Sequence, residues 1–390
     1  MAFLGTVCYT YPNYTDGGNG YMSTPTGGHK KIRTIVITGG PCGGKTTAMS
    51  WLQNALTSAG YAVIFLTETF TELANGGISS YNCKDNFAFQ RIQVRYQLER
   101  ERLYRRAAEA LSNDNVVIVH DRGSMDDKPY MTAEEFASIL EELGQDEVSF
   151  RDKYDAVFHL VTAAKGALPF YTTANNTART ETPEEAIDLD EKTLAAWAGH
   201  PHLRIIDNST DFNGKMLRLL KEVMAALGEP EPMEHARRFL IKYPDLDWLN
   251  NNPNCQRVEI IQTYLTPYRD EERRICMRGT GGSYIYYKTT QRDAPDGGRM
   301  EVEERLSQEE YFSLLMEADP TCRPIRKTRY CLVDDVQSFE VDLYPTWKDV
   351  AMLQVELSDP DAEVHIPENL HVIREVTDNP AYDNHEMARL

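Results

Sequence analysis

The chain has 390 residues, and its 41 Lys and Arg side chains against 60 Asp and Glu give a formal net charge of −19. A sequence-independent nucleic-acid binder needs a basic surface, so this balance argues against nucleic acid as a partner. No run of about 18 apolar residues, no secretory signal and no CxxC pair is recognisable, and we therefore expect a cytoplasmic protein without a transmembrane segment.

Residues 1–30 are rich in Gly, Thr, Tyr and Pro and are predicted to form a flexible tail. From 31 to 228, short apolar strands alternate with helices, which indicates an α/β domain with a parallel sheet flanked by helices. The strands are predicted at 35–37, 62–66, 116–119, 156–160 and 203–206. Long amphipathic helices are predicted at 86–112 and 213–227.

A glycine-rich segment between the first strand and the first helix fits the P-loop (Walker A) pattern GxxxxGK[ST]. Glycines let backbone N–H groups close around phosphate oxygens, and the next helix directs its positive end at the anion. Lys45 is predicted to contact the outer phosphates of ATP or GTP, and Thr46 to hold Mg²⁺ or Mn²⁺. The predicted nucleotide-binding residues are Gly39, Gly40, Pro41, Cys42, Gly43, Gly44, Lys45, Thr46 and Thr47.

Two carboxylates follow predicted strands of this domain. Asp121 occupies the place where P-loop proteins orient Mg²⁺ or its water, and Arg122 follows it directly. The pair resembles the Asp-Arg pair of nucleoside and nucleotide kinases, in which the arginine faces the transferred phosphoryl group; a surface ion pair is the alternative for Arg122. Glu68 either accepts the proton of the attacked hydroxyl or caps the following helix.

Arg179 lies in a polar loop after the fourth predicted strand, where it either clamps phosphates as part of a lid or stays solvated. The predicted catalytic residues are Lys45, Glu68, Asp121, Arg122 and Arg179. No guanine-reading [NT]KxD motif is present, which favours a kinase-like core over a Ras-like one and leaves ATP and GTP both open.

Residues 229–252, which begin with Glu-Pro-Glu-Pro, are predicted to be a linker. From 253 to 390 apolar residues recur at every second position, which indicates successive antiparallel strands. Charged residues share one face of several strands, so they either point to solvent or line the wet interior of an antiparallel β-barrel. The pairs that share a face are Arg274 with Arg278, Glu301 with Glu303, Lys327 with Arg329, Glu340 with Asp342, and Gln354 with Glu356.

Segments of the second half resemble a CYTH domain, the triphosphate tunnel fold. They are 258–265, 272–274, 278–279, 325–330, 339–342 and 374–377. Residues 38–47 and 121–126 resemble the AAA-type domain shared with nicotinamide riboside kinase. The fusion of the two in this order is similar to the TRPL translocation defect protein family across nearly all of residues 31–390.

The resemblance implies nucleotide binding, GTP in the known animal member, and binding of acidic phospholipids such as phosphoinositides in membrane trafficking. It implies a tunnel that binds or hydrolyses polyphosphate groups with Mg²⁺ or Mn²⁺. The tunnel phosphate ligands would be Arg274, Arg278, Lys288, Lys327, Arg329 and Arg374. The metal ligands there would be Glu259, Glu301, Glu303, Asp342 and Glu356, in addition to Thr46 and Asp121 at the P-loop.

The chain departs from the ExExK signature of the CYTH family, whose aligned positions are Glu259, Ile261 and Thr263. Gln354 also replaces a carboxylate. Hydrolysis in such tunnels needs several carboxylates to hold metal against the polyphosphate, whereas arginines alone suffice to bind phosphate. We therefore predict that the tunnel binds a phosphorylated anionic ligand more readily than it cleaves one.

Three functions remain open from the sequence. One is a Mg²⁺-dependent phosphotransferase whose tunnel holds a phosphorylated small molecule. Another is a GTP-dependent switch with slow NTPase activity that binds phosphoinositide or phosphatidic acid and touches membranes peripherally. The third is a metal-dependent triphosphatase in the CYTH domain.

Overall fold

The structure, a computed structural model, describes residues 30–171, 182–228, 236–268, 271–293, 299–357 and 362–390. Nearly all of the predicted tail over 1–30 lies outside the described residues, as do Arg179 and the first part of the predicted linker. Among the described residues, no helix combines the length and the apolar character needed to cross a membrane.

The first half is built on a parallel sheet. Its strands are β1 (Lys31–Thr38), β2 (Ala62–Leu66), β3 (Asn115–Asp121), β4 (Ala156–Leu160) and β5 (Leu203–Ile206). Its helices are α1 (Lys45–Ser58), α2 (Thr69–Asn75), α3 (Asn86–Ala110), α4 (Ala133–Leu143), α5 (Glu147–Arg151), α6 (Pro183–Trp197) and α7 (Phe212–Leu227). The five strands lie in the order β2-β3-β1-β4-β5, which confirms the predicted parallel sheet flanked by helices.

Both faces of this sheet are covered, which explains why its strands read as continuous apolar runs. On one face, Ile35 and Ile37 of β1 pack with Leu52 of α1 and Leu219 of α7. On the other face, Val36 packs in a cluster that contains Trp197 at the end of α6. The carboxyl ends of β1, β3 and β4 therefore meet at one edge, between the two helical layers.

The second half is an antiparallel sheet. Its strands are β6 (Ala236–Lys242), β7 (Cys255–Tyr268), β8 (Glu271–Thr280), β9 (Ser283–Asp293), β10 (Arg299–Leu306), β11 (Ile325–Asp334), β12 (Gln337–Leu343), β13 (Val350–Glu356) and β14 (Val372–Glu375). Its helices are α8 (Leu246–Asn251), α9 (Gln308–Leu314) and α10 (Asn384–Ala388). The nine strands lie in the order β10-β9-β8-β7-β11-β12-β13-β6-β14.

The expected closed barrel is not confirmed. Within the described ranges β10 and β14 are edge strands that do not pair with each other, so the sheet stays open. The sheet is nevertheless strongly curved, because residues of β10 and of β13 line the same cavity. The strand β6, which lies inside the predicted linker over 229–252, pairs with β13 and thereby extends the sheet on that side.

The two halves pack against each other. Val148 of α5 packs with Ile285 and Tyr287 of β9, and Val333 of β11 joins the apolar cluster around Trp197. Lys165 also forms an ion pair with Asp335 at 2.7 Å. The interface combines apolar contacts with charge pairs, and it places β5 beside the second sheet.

Gly123, which follows Arg122, offers a test of how tightly the end of β3 is packed. A Cβ atom there would lie 2.7 Å from Cζ2 of Trp197 and 3.0 Å from Cγ1 of Val36. Because both neighbours are buried and cannot yield freely, Gly123→Ala should lower the free energy of unfolding by about 1–3 kcal/mol in a denaturant titration. Gly76→Ala, at a helix end, is the matched control and should change it by about 0.5 kcal/mol or less. Equal stability of the two variants would contradict this packing.

Candidate functional site

The loop between β1 and α1 is shaped by close backbone contacts. Gly39 and Gly44 have φ angles of 128° and 95°, which residues that carry a Cβ atom rarely adopt. A Cβ atom at Gly39 would lie 2.1 Å from the carbonyl oxygen of Leu160, and one at Gly43 would lie 2.5 Å from the same oxygen. The loop is thus pressed against the end of β4, in the conformation that its glycines permit.

A carboxylate that the sequence did not reveal anchors this loop. Asp190 of α6 accepts a hydrogen bond from the backbone N–H of Gly40 at 2.6 Å, and it contacts Nε2 of His159 at 3.0 Å. Burial raises the pKa of Asp190, but His159 and the hydrogen bonds outweigh it and the pKa is lowered. Thr162 adds a hydrogen bond to the carbonyl of Pro41 at 2.5 Å. No local motif marks Asp190, because it lies far from the loop in sequence.

Lys45 is held at the loop by its own backbone. Its ammonium donates to the carbonyl oxygens of Gly39 and Gly40, each at 2.8 Å. Burial, helped by the nearby charge of Arg122, lowers the pKa of Lys45 to about 8. An anion at this place would restore the preference for the charged form, because its negative charge offsets the cost of burying the ammonium.

Glu68 and Arg122 form an ion pair next to the loop. Nε of Arg122 donates to Oε1 of Glu68 at 2.6 Å, and the hydroxyl of Thr71 donates to Oε2 of Glu68 at 2.6 Å. Burial would raise the pKa of Glu68, but the charge of Arg122 outweighs it and the pKa is lowered, so the carboxylate is ionised. The structure therefore brings these two predicted residues together.

The backbone at Arg122 is unusual. Its φ angle is 69°, in the left-handed region that residues other than Gly rarely occupy. Its N–H donates to the carbonyl of Ile37 at 3.0 Å, which ties the strained residue to β1. Such strain persists where the surroundings over-determine it, and it is concentrated at functional sites.

Asp121 and Thr46 are candidates for holding Mg²⁺. Burial, reinforced by the charge of Glu68 and opposed by Lys45, raises the pKa of Asp121. Its charged form therefore lacks full compensation, and a divalent cation would supply it. Thr46 is exposed in the first turn of α1. Mg²⁺ takes one or two protein oxygens together with phosphate oxygens and water, and the hydroxyl of Thr46 and the carboxylate of Asp121 are ligands of this kind.

A second set of buried polar groups lies near the ion pair of Glu68 and Arg122, and it includes Asp127 and Gln93, which were not assigned from the sequence. Burial, reinforced by the charge of Asp126, raises the pKa of Asp127 to about 7 despite a hydrogen bond from Gln93. Among the described residues, three buried oxygens here have no hydrogen-bond partner: Oε1 of Gln90, Oε1 of Gln93 and Oδ2 of Asp127. Gln93 lies three residues after Gln90 on α3, and this spacing is the signal that could have found it.

The concave face of the second sheet encloses a polar cavity of about 200 Å³, which we call the tunnel. Of the cations assigned to it from the sequence, Arg274, Arg278, Lys327 and Arg329 line it, and Arg238 of β6 joins them. The glutamates that line it are Glu272, Glu301, Glu303, Glu340 and Glu356.

Two predicted tunnel cations lie elsewhere, which corrects their assignment. Lys288 forms an ion pair with Glu304 at 3.5 Å, and its neighbours Tyr287 and Thr289 line the cavity instead. Because side chains alternate along a strand, Lys288 must point away from the cavity. Arg374 lies exposed on β14 and donates to the hydroxyl of Tyr382 at 2.8 Å.

The register of β7 also differs from the predicted one. Ile260, Gln262 and Tyr264 line the cavity, so Glu259 faces outward, where it pairs with Arg257 at 3.1 Å. A shift of one residue exchanges the two faces of a strand. The assignment of Glu259 as a tunnel metal ligand is therefore corrected, and β7 contributes no carboxylate to the cavity.

The remaining predicted metal ligands of the tunnel are paired with cations. The pairs are Glu301 with Arg274 at 2.8 Å, Glu303 with His202 at 2.8 Å, Glu356 with Arg204 at 2.6 Å, and Asp342 with Lys327 at 2.6 Å and Arg329 at 2.7 Å. In the described part of the chain, no group of three or more His, Cys, Asp or Glu side chains comes together in a way that could hold a metal ion. The tunnel carboxylates thus do not fit a metal cluster.

Arg278 is a tunnel cation whose hydrogen-bonding atoms are incompletely used. It is 5% exposed, its Nη2 contacts Sγ of Cys331 at 3.4 Å, and its Nη1 has no hydrogen-bond partner among the described residues. Asp152 of the first half lies 3.9 Å from Nη1. A buried guanidinium with unused donors is costly, and an anion in the cavity would satisfy them.

Comparison with known proteins supports the character of the first half. A family model described as "AAA domain" matches residues 34–215, which include the loop, Glu68, Asp121, Arg122 and Asp190. This match supports the AAA-type part of the resemblance, while the resemblance of the whole chain to the translocation defect family stays a prediction. No curated protein matches the chain.

Several solved structures are similar to part of the chain. "The crystal structure of the inorganic triphosphatase NE1496" has 25% sequence identity, a TM-score of 0.28, and coverage of 40% of this chain and 93% of that chain. A second structure of NE1496, titled as a hypothetical protein, has 25% identity, a TM-score of 0.29, and coverage of 40% and 97%. The PH1819 protein from Pyrococcus horikoshii OT3 has 17% identity, a TM-score of 0.24, and coverage of 32% and 80%. With TM-scores this low, none of these likenesses carries an argument about the present protein.

The lowered pKa of Lys45 predicts how nucleotide affinity depends on pH. The pKa of Lys45 in the nucleotide-free protein is about 8, so raising the pH through this value removes the positive charge that an anion binds. The affinity for ATP or GTP, measured between about pH 7.5 and pH 9.5, should therefore fall with rising pH, by up to about tenfold per unit. Lys45→Arg keeps its charge and should show a flatter profile. An equal decline in both proteins would assign the titration to another group.

Proposed function

We propose that the first half binds ATP or GTP with Mg²⁺ and transfers a phosphoryl group, and that the tunnel binds a phosphorylated anion. The observation that carries the first part is the placement of Lys45, Arg122, Glu68 and Asp121 at the same sheet edge as a glycine loop anchored by Asp190. The match of residues 34–215 to an AAA domain model supports nucleotide binding.

Each residue has a distinct role in this proposal. The loop N–H groups and Lys45 hold the outer phosphates, and Arg122, oriented by Glu68, faces the group in transfer. Thr46 and Asp121 would hold Mg²⁺, which neutralises charge that develops on the phosphates. A bond forms between the acceptor oxygen and the terminal phosphorus, the bond to the bridging oxygen breaks, and the acceptor proton passes to Glu68.

The acceptor is inferred from a group of unpaired oxygens, one of which, on Asp127, lies within the influence of the charges of Arg122 and Glu68. Gln90, Gln93 and Asp127 present buried hydrogen-bond acceptors. Unsatisfied buried acceptors are costly, so a ligand with several O–H or N–H donors would be retained there. A small molecule that carries hydroxyl groups meets this requirement, and water is the acceptor when none is bound.

For the tunnel, the supporting observation is the pairing of its carboxylates with cations together with the unused donors of Arg278. These features favour binding of a phosphorylated anion over metal-dependent cleavage. A free polyphosphate and a phosphoinositide or phosphatidic acid headgroup share this chemistry, and the resemblance to the translocation defect family implies the lipid.

Glu68→Gln tests the phosphotransferase proposal. The amide keeps the shape but accepts no proton and weakens the hold on Arg122, so turnover should fall by about 10²- to 10⁴-fold. Turnover is measured as release of ADP or GDP with water and with a panel of hydroxyl compounds. Nucleotide affinity should stay within about threefold, because the hydrogen-bond partners of Glu68 are Arg122 and Thr71, which lie outside the loop. The control is Glu99→Gln, at an exposed position of α3. Unchanged turnover of the Glu68 variant would refute the role of Glu68 as base.

Arg278→Gln tests the tunnel. Tripolyphosphate is titrated calorimetrically in a Lys45→Ala background, which removes the competing P-loop site. Loss of charged hydrogen bonds worth about 1.5–3 kcal/mol should weaken binding by roughly 10- to 100-fold. Lys288→Gln, on the outer face of β9, is the matched control and should bind normally. Flotation of vesicles with or without phosphatidic acid or phosphoinositide distinguishes a lipid headgroup from free polyphosphate as the ligand. If the protein binds neither tripolyphosphate nor these vesicles, the proposal is contradicted.

A further inference from the structure

The buried face of α3 is polar, although a helix face in the interior is usually apolar. Its buried polar residues are Gln90, Gln93, Gln97 and Arg100. Gln97 donates to Oε1 of Glu101 at 3.1 Å. Arg100 donates to the carbonyl of Thr67 at 3.0 Å, which places this face beside the residue that precedes Glu68. The two later residues of the face are thus hydrogen-bonded within the protein, whereas the two earlier glutamines are only partly so.

Gln93 is oriented by Asp127. Its Nε2 donates to Oδ1 of Asp127, and because an ionised carboxylate only accepts hydrogen bonds, this contact fixes which end of the amide is the oxygen. Among the described residues, Oε1 of Gln93, Oδ2 of Asp127 and Oε1 of Gln90 have no hydrogen-bond partner. The exposed fractions are 4% for Gln90, 7% for Gln93 and 4% for Asp127, so bulk water does not satisfy these oxygens.

Asp127 carries a charge that its neighbours do not balance. Arg122 forms ion pairs with Glu68 at 2.6 Å and with Asp126 at 4.0 Å, while no ion pair of Asp127 is found in the described ranges. Burial, reinforced by the charges of Asp126 and Glu68 and opposed by Gln93 and Arg122, raises the pKa of Asp127 to about 7. A cation beside Asp127 would restore the preference for the ionised form.

The preceding residue, Asp126, shows how a carboxylate that serves the fold is used here. Its Oδ2 accepts from the N–H of Gly123 at 2.5 Å, and its Oδ1 accepts from the hydroxyl of Thr38. Both oxygens of Asp126 therefore have partners within the protein. Asp127 is similarly buried, yet one of its oxygens has none. A role in the fold thus explains Asp126 and leaves Asp127 unexplained.

The oxygens left without a partner in this group are all acceptors, so a ligand there must bring donors. Residues three apart on a helix have Cβ atoms about 5–6 Å apart, so one small group can reach both glutamines. A primary ammonium carries three N–H donors, no acceptor and one positive charge. It supplies a donor for each oxygen and the cation that Asp127 lacks. A hydroxyl supplies one donor and adds lone pairs that need donors of their own.

We propose that the phosphoryl acceptor of the first half is an amino alcohol, whose ammonium is bound by Asp127, Gln90 and Gln93 while its hydroxyl faces Glu68. This inference rests on the phosphotransferase function proposed above and adds the chemical class of the acceptor. The hydroxyl oxygen bonds to the terminal phosphorus, the bond from that phosphorus to the bridging oxygen breaks, and the hydroxyl proton passes to Glu68. The products are ADP or GDP and a phosphate monoester of the amino alcohol.

The full chain with Mg²⁺ and ATP or GTP is tested on matched pairs of amino and neutral alcohols. The pairs are ethanolamine with ethylene glycol, aminopentanol with pentanediol, and glucosamine with glucose, and ester formation is followed by phosphorus NMR. At least one amino compound should be used with a kcat/KM about 10- to 100-fold above its neutral partner, because hydrogen bonds to the buried carboxylate depend on the amine. The N-trimethyl derivative of that compound keeps the charge without N–H donors and should lose most of this advantage.

The outcomes separate this inference from the function on which it rests. Equal use of the amino and neutral compounds refutes the ammonium site and leaves the phosphotransferase in place. If no compound is phosphorylated, the amino alcohol is refuted, and the effect of Glu68→Gln on nucleotide turnover with water decides separately whether the phosphotransferase stands.

Variants of the ammonium site supply a second readout. Asp127→Asn removes the charge and keeps the shape, so kcat/KM should fall about 10- to 100-fold for the amino alcohol and change less than about threefold for its neutral partner. Gln90→Met removes one amide oxygen at similar length and should cost the amino alcohol about three- to tenfold. Glu99→Gln, at an exposed position of α3, is the control. Equal losses with both substrates would indicate a structural role and contradict binding.

The ratio of kcat/KM for the amino alcohol to that for its neutral partner should also depend on pH. Asp127 holds the ammonium only when ionised, so the ratio should fall as the pH drops below about 7, by up to about tenfold per unit. Titration of Glu68 or Lys45 affects both substrates and cancels in the ratio. The ratio should be flat in Asp127→Asn, and a decline that persists in this variant would contradict the assignment.

Discussion

Compensation of buried positive charge governs both halves of this protein. Lys45, Arg278 and Lys327 are all less than 10% exposed. A cation out of water is costly unless anionic groups meet it, and a protein that retains such cations must either pair them or offer them to a ligand. Lys327 is paired with Asp342, whereas Lys45 donates to backbone carbonyls and Arg278 keeps unused donors. This difference between paired and partly paired cations is what supports the proposal that Lys45 and Arg278 meet an anion.

The net charge of −19 is therefore a poor guide to the ligands. It describes the whole surface, while binding depends on fields within a few ångströms in places shielded from solvent. In the tunnel, five Arg and Lys side chains line the same cavity as six carboxylates, those of five glutamates and of Asp383. The lining therefore carries no excess of positive charge, and several of its cations are paired with carboxylates. In the function proposed above, an anion would bind there by replacing carboxylates as the partner of these cations.

The sequence predicted the parts of the structure that depend on neighbours along the chain. The strands, the glycine loop and the residues at the ends of β2 and β3 follow from local pattern, because parallel strands bring their carboxyl ends to one edge. Asp190 and Arg204 escaped prediction because their partners lie 150 and 152 residues away. The register of β7 was misjudged because apolar residues occupy both faces there: Val258 and Ile260 lie on one face and Ile261 on the other. When both faces are partly buried, alternation alone does not say which is the interior.

The same ambiguity explains why a barrel was expected and an open sheet is found. Charged and apolar residues alternate along these strands, so the charged side chains share one face of the sheet. If that face is the inner one, something must cover it, but the sequence does not say which part of the chain does so. Here β6 extends one side of the sheet, and β5 of the other half stands where closure would be. Since Glu303 and Glu356 find their cationic partners in His202 and Arg204 of the first half, removal of that half would leave two carboxylates of the tunnel without those partners. The second sheet is therefore not a self-sufficient unit in its electrostatics, and the site that it encloses belongs to the fused chain as a whole.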